Sequence, residues 1–221
     1  MAAPVLYSMT SDPLAMRARL ALLYAGVRCE LREVEPEATP AELLALSRRG
    51  AVPLLRLADG KVLDDSLAIM RWAAAQRPEL GLWPELRVRQ QAIENLVRII
   101  DGPFAEACHR YRHAPSGTRA LDYRAEAEIV LAQLEARLAR VGSLVGERET
   151  LADLAVLPFI HLFAEADRTW FDVSPYRQLR VWLVRYRDNP YWLRCQEPTP
   201  LWRSGAEPYY LEPGGPRRAS A

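Results

Sequence analysis

Val5-Leu6-Tyr7-Ser8-Met9-Thr10-Ser11-Asp12-Pro13-Leu14-Ala15-Met16-Arg17-Ala18-Arg19-Leu20 reads as a strand, a polar turn and the opening of a helix. Val5 to Ser8 carry the apolar strand signal. Asp12 suits a helix N-cap, and Pro13 suits the first helical turn, where its missing N–H costs nothing. Leu14, Ala18, Ala21, Leu22 and Ala25 then recur at i, i+4, i+7, i+8 and i+11, an apolar stripe that leaves Arg17 and Arg19 off it. Gly26 closes the helix as a left-handed cap.

Outward from this stretch, Cys29 to Val34 predicts a second strand and Pro40 to Leu46 a short helix. Val52-Pro53-Leu54-Leu55-Arg56-Leu57 and Val62-Leu63 are strands joined by Ala58-Asp59-Gly60-Lys61, a hairpin turn carried by Asp-Gly. Asp65-Ser66 caps a further helix that runs to about Gln76. The order βαβ-α-ββα predicts an α/β, thioredoxin-like domain over 1–77. Residues 78–84, rich in Pro and Gly, read as the linker. Residues 85–221 read as an all-helical bundle domain. Its helices fall over Glu85–Arg112, kinked or interrupted at Asp101-Gly102-Pro103, then Thr118–Arg140, Leu151–Ala166 and Pro175–Arg187, with a short turn after Pro190. The tail from Glu212 to Ala221 predicts a mobile end.

Among 221 residues, 29 Lys plus Arg stand against 28 Asp plus Glu, a formal charge of +1. A general binder of nucleic acid or of anionic membrane carries a clear basic excess, which is absent here. Lys61 is the only lysine, so the remaining basic residues are arginines suited to carboxylate recognition. No apolar run approaches a membrane span, and no secretory signal opens the chain. Cys29, Cys108 and Cys195 are odd in number and far apart, which argues against a disulfide framework or a zinc site and for a reducing cytoplasm.

Four local features bear chemistry. The N-terminus of the first helix offers free N–H groups that stabilise a bound thiolate. Ala51-Val52-Pro53-Leu54 sets a proline before a strand, a position suited to a cis bond that leaves the Val52 backbone open to an extended peptide. Asp65-Ser66 offers helix N–H donors and a hydroxyl to a carboxylate, while Asp65 faces an amine. Thr150-Leu-Ala-Asp153 is a capping box and structural. His109 and His113 share a helical face, but no third ligand accompanies them and no metal is expected. Tyr111 and Trp170, with Phe171 and Trp202, are candidates to line an apolar pocket, although aromatics in a helical domain are usually core.

In their order and spacing these features resemble the cytosolic glutathione transferase family over about residues 4 to 195. Ala15-Met-Arg-Ala-Arg-Leu-Ala-Leu and Asp64-Asp-Ser-Leu-Ala-Ile-Met-Arg-Trp are most similar to its bacterial glutaredoxin-like and omega-like branch. The resemblance implies a glutathione transferase fold with glutathione as co-substrate, held by Arg49, Val52, Pro53, Asp65 and Ser66. It implies a pocket for a small electrophile bearing Tyr111 and Trp170, a role in detoxification and a cytoplasmic homodimer. In that branch a cysteine precedes the proline; here the residue is Asp12, so a mixed disulfide at this position is excluded. Ser11 becomes the nearest hydroxyl for the glutathione sulfur, ahead of Thr10, Ser8 and Tyr7, and Ser11 and Asp12 are the catalytic candidates. An ionised Asp12 opposes a neighbouring thiolate, at about 1 kcal/mol for ~4 Å in water and several in a drier site. The expected activity is therefore conjugation of glutathione to an electrophile or its transfer from a conjugate. The alternative is a non-catalytic member that binds glutathione or a partner protein.

Overall fold

The computed structural model describes residues 2–35, 38–114 and 117–212, and most of the tail for which mobility was expected lies outside them. The chain divides into two compact units, residues 1–80 with 188–221, and residues 81–187. The sequence assigned everything after residue 84 to the helical domain. Residues 188–212 instead belong with the first unit, because their side chains and backbone complete its sheet and cover its first helix.

In the first unit, β1 (Val5–Ser8), β2 (Cys29–Glu33), β3 (Leu54–Arg56), β4 (Val62–Leu63) and β5 (Tyr210–Leu211) form one sheet in the order β4-β3-β1-β2-β5. β1 and β2 are parallel, and the other three pairings are antiparallel. β1 is buried on both faces, as a central strand covered by helices must be. Val5 and Tyr7 point to the face where Leu43 of α2 (Ala41–Leu46) packs with Val34 and Leu54. Leu6 and Ser8 point to the other face, which carries α1 (Pro13–Tyr24) and α3 (Ser66–Gln76). Between them Cys29, at the start of β2, is fully buried.

α1 packs against α3 on one side and against α10 (Pro190–Gln196) on another. Every residue from Ala15 to Leu23 is consequently buried, Arg17 and Arg19 included. The apolar stripe left both arginines off it; a helix packed on more than one side buries residues off the stripe as well. Gly26 ends α1 at φ +70°, with Val27 N–H reaching back to the Leu22 carbonyl at 2.9 Å. β5, two residues long, was missed, as was the helical form of the turn after Pro190.

The second unit is helical. α4 (Arg87–Ile99) runs into a π-turn at Ile100–Phe104 and continues as α5 (Ala105–His113), so Asp101-Gly102-Pro103 distorts the helix at the place where a kink or interruption was expected. α6 (Thr118–Val141), α7 (Leu151–Ala166), α8 (Arg168–Val173) and α9 (Arg177–Arg187) follow. α7 is buried over nearly its whole length and packs against α4, α5, α8 and α9. The sequence overlooked α8. Among the described residues no helix is long and apolar enough to cross a membrane.

Candidate functional site

The turn between β1 and α1 is built from buried charge. Arg19, buried completely, forms an ion pair with Glu33 at the end of β2. Its Nε donates to Ser8 Oγ at 2.7 Å and its Nη1 to Thr10 Oγ1 at 3.1 Å. Glu33 accepts the Thr10 backbone N–H at 2.6 Å and the Thr199 hydroxyl at 2.9 Å. A hydroxyl carries one proton, and Thr199 gives its proton to the carboxylate. The 3.3 Å contact between the two threonine hydroxyls therefore runs from Thr10 to Thr199.

This donor order separates the candidate hydroxyls. Thr10 has no proton left over, while Tyr7 and Ser8, which accept from Arg32 at 2.7 Å and from Arg19 at 2.7 Å, are buried in β1. Ser11 is exposed and tied to nothing among the described residues, so it alone is free to meet a ligand atom. Beside it Asp12 is the N-cap of α1, its Oδ2 accepting the Ala15 N–H at 2.9 Å. Burial pushes the Asp12 carboxyl above its ordinary value, against the pull of the Ala15 and Leu14 N–H groups and the charges of Arg17 and Arg19.

A second helix start lies close by. Asp65 is the N-cap of α3 and accepts the Ala68 N–H at 2.7 Å. Ser66, the first residue of α3, is buried, and its Oγ accepts two bonds from Arg17 of α1, from Nε at 3.0 Å and from Nη2 at 2.6 Å. Both lone pairs of the hydroxyl are thereby engaged and its proton is left to donate. The Val52–Pro53 peptide is cis, and Val52 packs beside Tyr7 and Leu54 ahead of β3. Among the described residues the Val52 backbone makes no hydrogen bond to another backbone group. Arg49 is exposed in the loop before it. Arg17, Arg19, Glu33 and Thr199 were not singled out by the sequence. The signal available was α1 itself: Leu14, Ala15, Met16, Ala18, Leu20 and Ala21 leave no polar face, so any arginine among them is buried and partnered.

In the second unit, Thr150 and Asp153 form the capping box of α7. Asp153 accepts the Thr150 N–H at 2.9 Å, the Leu144 N–H at 3.2 Å and Trp182 Nε1–H at 3.1 Å. Tyr111 and Trp170 meet across Phe163, with ring centroids 5.7 and 6.0 Å from it. Tyr111 donates to Asp167 at 3.3 Å, and the Arg124 guanidinium lies 4.4 Å from the Trp170 ring. Both rings are half-buried, whereas Phe171 is core. Trp202 does not join them: it belongs to the first unit, edge-on to Tyr7 at 6.0 Å and under Arg32. His109 and His113 stack at 4.4 Å on the surface, and no cluster of three or more metal-ligating side chains occurs among the described residues.

Comparison with known proteins places the chain. The family model "Glutathione S-transferase, N-terminal domain" matches residues 6–81, and "Glutathione S-transferase, C-terminal domain" matches residues 90–185. The chain is 29% identical over 160 residues to the glutathione S-transferase GstB of Escherichia coli K12, covering 68% of this chain and 75% of that protein. It is also 29% identical over 187 residues to a probable maleylacetoacetate isomerase of Caenorhabditis elegans, covering 78% of this chain and 83% of the relative. A glutathione S-transferase structure from Rhodospirillum rubrum superposes with a TM-score of 0.76 at 24% identity, over 93% of this chain and 96% of that one. With a thioredoxin-like sheet, a helical second unit and both domain models matched in order, the chain belongs to the glutathione S-transferase family.

Proposed function

We propose that the protein binds glutathione on its first unit and uses it on a small electrophile. One observation carries the binding: Ser66 stands at the N-terminus of α3 with both lone pairs held by the buried Arg17, so its proton, beside the helix N–H groups, is left to donate to a carboxylate. A γ-glutamyl carboxylate fits that donor set. The unpaired Val52 backbone suits the extended peptide, Asp65 its amine, and Arg49 a second carboxylate. The sulfur then lies at the β1–α1 turn, where Ser11 is the free hydroxyl, and the reaction is attack of the thiolate on a small electrophile or transfer of glutathione from a conjugate.

The second reading, a binder without turnover, is favoured by Asp12. A carboxyl stands where the most similar branch has cysteine, and its charge opposes a thiolate. In either reading we place the protein in the cytoplasm as a homodimer; light scattering at twice 25.0 kDa is the expected mass. Calorimetry tests the binding. Ser66→Ala should weaken glutathione by about 1 kcal/mol, roughly fivefold. No heat and no thermal shift at saturating glutathione would sink both readings, and turnover of a generic electrophile separates them.

A further inference from the structure

Residues 188–212 follow the whole second unit in sequence yet belong to the first, and they run as one strap past α1, β2 and α2. α10 is tied to α1: Asn189 Nδ2–H donates to the Tyr24 hydroxyl at 2.9 Å, and the buried Cys195 thiol to the Met16 carbonyl at 3.1 Å. Leu201 bridges in parallel to Glu33, and the Trp202 N–H donates to the Glu33 carbonyl at 2.9 Å. Further on, Ser204 hydrogen-bonds the Glu42 carboxylate of α2, and the Tyr209 carbonyl accepts the Leu31 N–H at 2.7 Å. Between α10 and Leu201 the strap brings Thr199 to the β1–α1 turn itself.

That turn is a four-residue reversal. The Asp12 N–H donates to the Met9 carbonyl at 3.2 Å, so Thr10 and Ser11 are its two central residues and cannot move independently. Thr10 is held at three points: its N–H by Glu33, its hydroxyl oxygen by Arg19 and its hydroxyl proton by Thr199. Ser11 has no such hold among the described residues, so the place of its hydroxyl is set through Thr10. Two of the holds on Thr10 come from the buried charges of β2 and α1. The third is neutral, comes from the strap and depends on one half-buried side chain. One hydroxyl serves both sides there, donating to Glu33 at 2.9 Å and accepting from Thr10 at 3.3 Å. Valine has the shape of threonine and neither function. With it Thr10 carries an unspent proton and turns toward another acceptor, taking the reversal with it.

We infer that Thr199 is a positioning residue for the reaction: from the strap it fixes Thr10, and through Thr10 it holds the Ser11 hydroxyl where the glutathione sulfur meets it. The inference rests on the glutathione reading and on Ser11 as the donor, and it makes a side chain 188 residues further along the chain part of that site's geometry.

The experiment follows the thiolate absorbance of bound glutathione against pH in the full chain, with binding of S-hexylglutathione, which has no free thiol, measured beside it. Ser11→Ala removes a hydrogen bond to the thiolate and should raise the bound thiol's pKa by about one unit. Thr199→Val should raise it by roughly half a unit and leave S-hexylglutathione affinity unchanged, because the contacts at Ser66 stay in place. Thr199→Ser should restore the wild-type value. Ser11→Ala/Thr199→Val should shift no further than Ser11→Ala alone, the signature of one residue acting through another. Asn189→Ala, which removes the cap of α10, loosens the strap elsewhere; it should lower the urea midpoint and leave the thiol pKa unmoved. An unmoved thiol pKa in Thr199→Val, where Ser11→Ala does shift it, overturns the proposal. So do additive shifts in the double variant, or an equal shift in Asn189→Ala, which makes Thr199 a structural tie and nothing more. No shift in Ser11→Ala removes Ser11 from the chemistry and the proposal with it, whereas absence of S-hexylglutathione binding removes the glutathione reading itself.

Discussion

Asp153, at the start of α7, and Glu33, at the end of β2, are both buried carboxylates that organise a chain reversal, yet they draw on different partners. Asp153 is met only by neutral donors, two backbone N–H groups, a threonine hydroxyl and an indole N–H. Burial therefore drives its carboxyl above the ordinary value, with those donors pulling the other way. Glu33 is met by a guanidinium, a backbone N–H and a hydroxyl from the far end of the chain. The first arrangement is local except for Trp182, 29 residues on; the second joins three segments and holds the turn that presents Ser11. Neutral donors fix a helix start, while an ion pair ties distant chain to it.

The sharpest break is Asp153→Ala. Of its four donors the three N–H groups, unlike the hydroxyl, cannot turn to another acceptor, and stability should fall by about 3–6 kcal/mol at roughly 1–2 kcal/mol each, read from urea midpoints. Next comes Glu33→Ala, which strands the buried Arg19 and should cost about 3 kcal/mol. The pair then offers a contrast that Asp153 cannot: Arg19→Met/Glu33→Met should recover part of that loss, because an ion pair can be replaced as a unit and backbone donors cannot. If the double variant is no better than Glu33→Ala, the two sites are alike and the distinction fails.

Thr199→Val should cost about 1 kcal/mol in stability, with Thr199→Ser restoring it. Smallest is Asp12, half-buried and lying between the two cases, with N–H partners and nearby arginines. Its folded pKa lies above its ordinary 3.8, so the folded state binds more protons and stability declines as pH rises from 3.8 through the raised value. Asp12→Asn keeps the cap and should flatten that limb in denaturation at pH 4 to 7. It should also lower the pKa of bound glutathione, followed by thiolate absorbance, by roughly half a unit. A higher thiol pKa in the Asn variant would make Asp12 a proton donor to the sulfur.

The same contrast explains what could be read in the sequence. Thr150 and Asp153 are three residues apart, so the box was visible in a single turn of text, and so were the Asp12 and Asp65 caps. Val52-Pro53 and the Asp-Gly hairpin are likewise local. Glu33 is 14 residues from Arg19 and 166 from Thr199, separations no periodicity reports. Arg17 and Arg19 were misplaced because a stripe reports one packing partner, and α1 has two helices against it. The two-residue β5 carries no strand pattern of its own; it exists because β2 offers it an edge.

That edge has a temporal consequence. β2 pairs with β1 on one side, and its other side stays open until Tyr210 and Leu211, which follow the whole second unit in sequence, pair with it. Domains usually complete themselves in order as they leave the ribosome, N-terminal first. Here the first unit must wait for residues that follow the whole second unit, its β2 backbone exposed to any other nascent strand until β5 pairs with it. An exposed edge is where chains pair wrongly with one another. Losing the pairing of Tyr210 and Leu211 would thus turn the first unit into a template for aggregation.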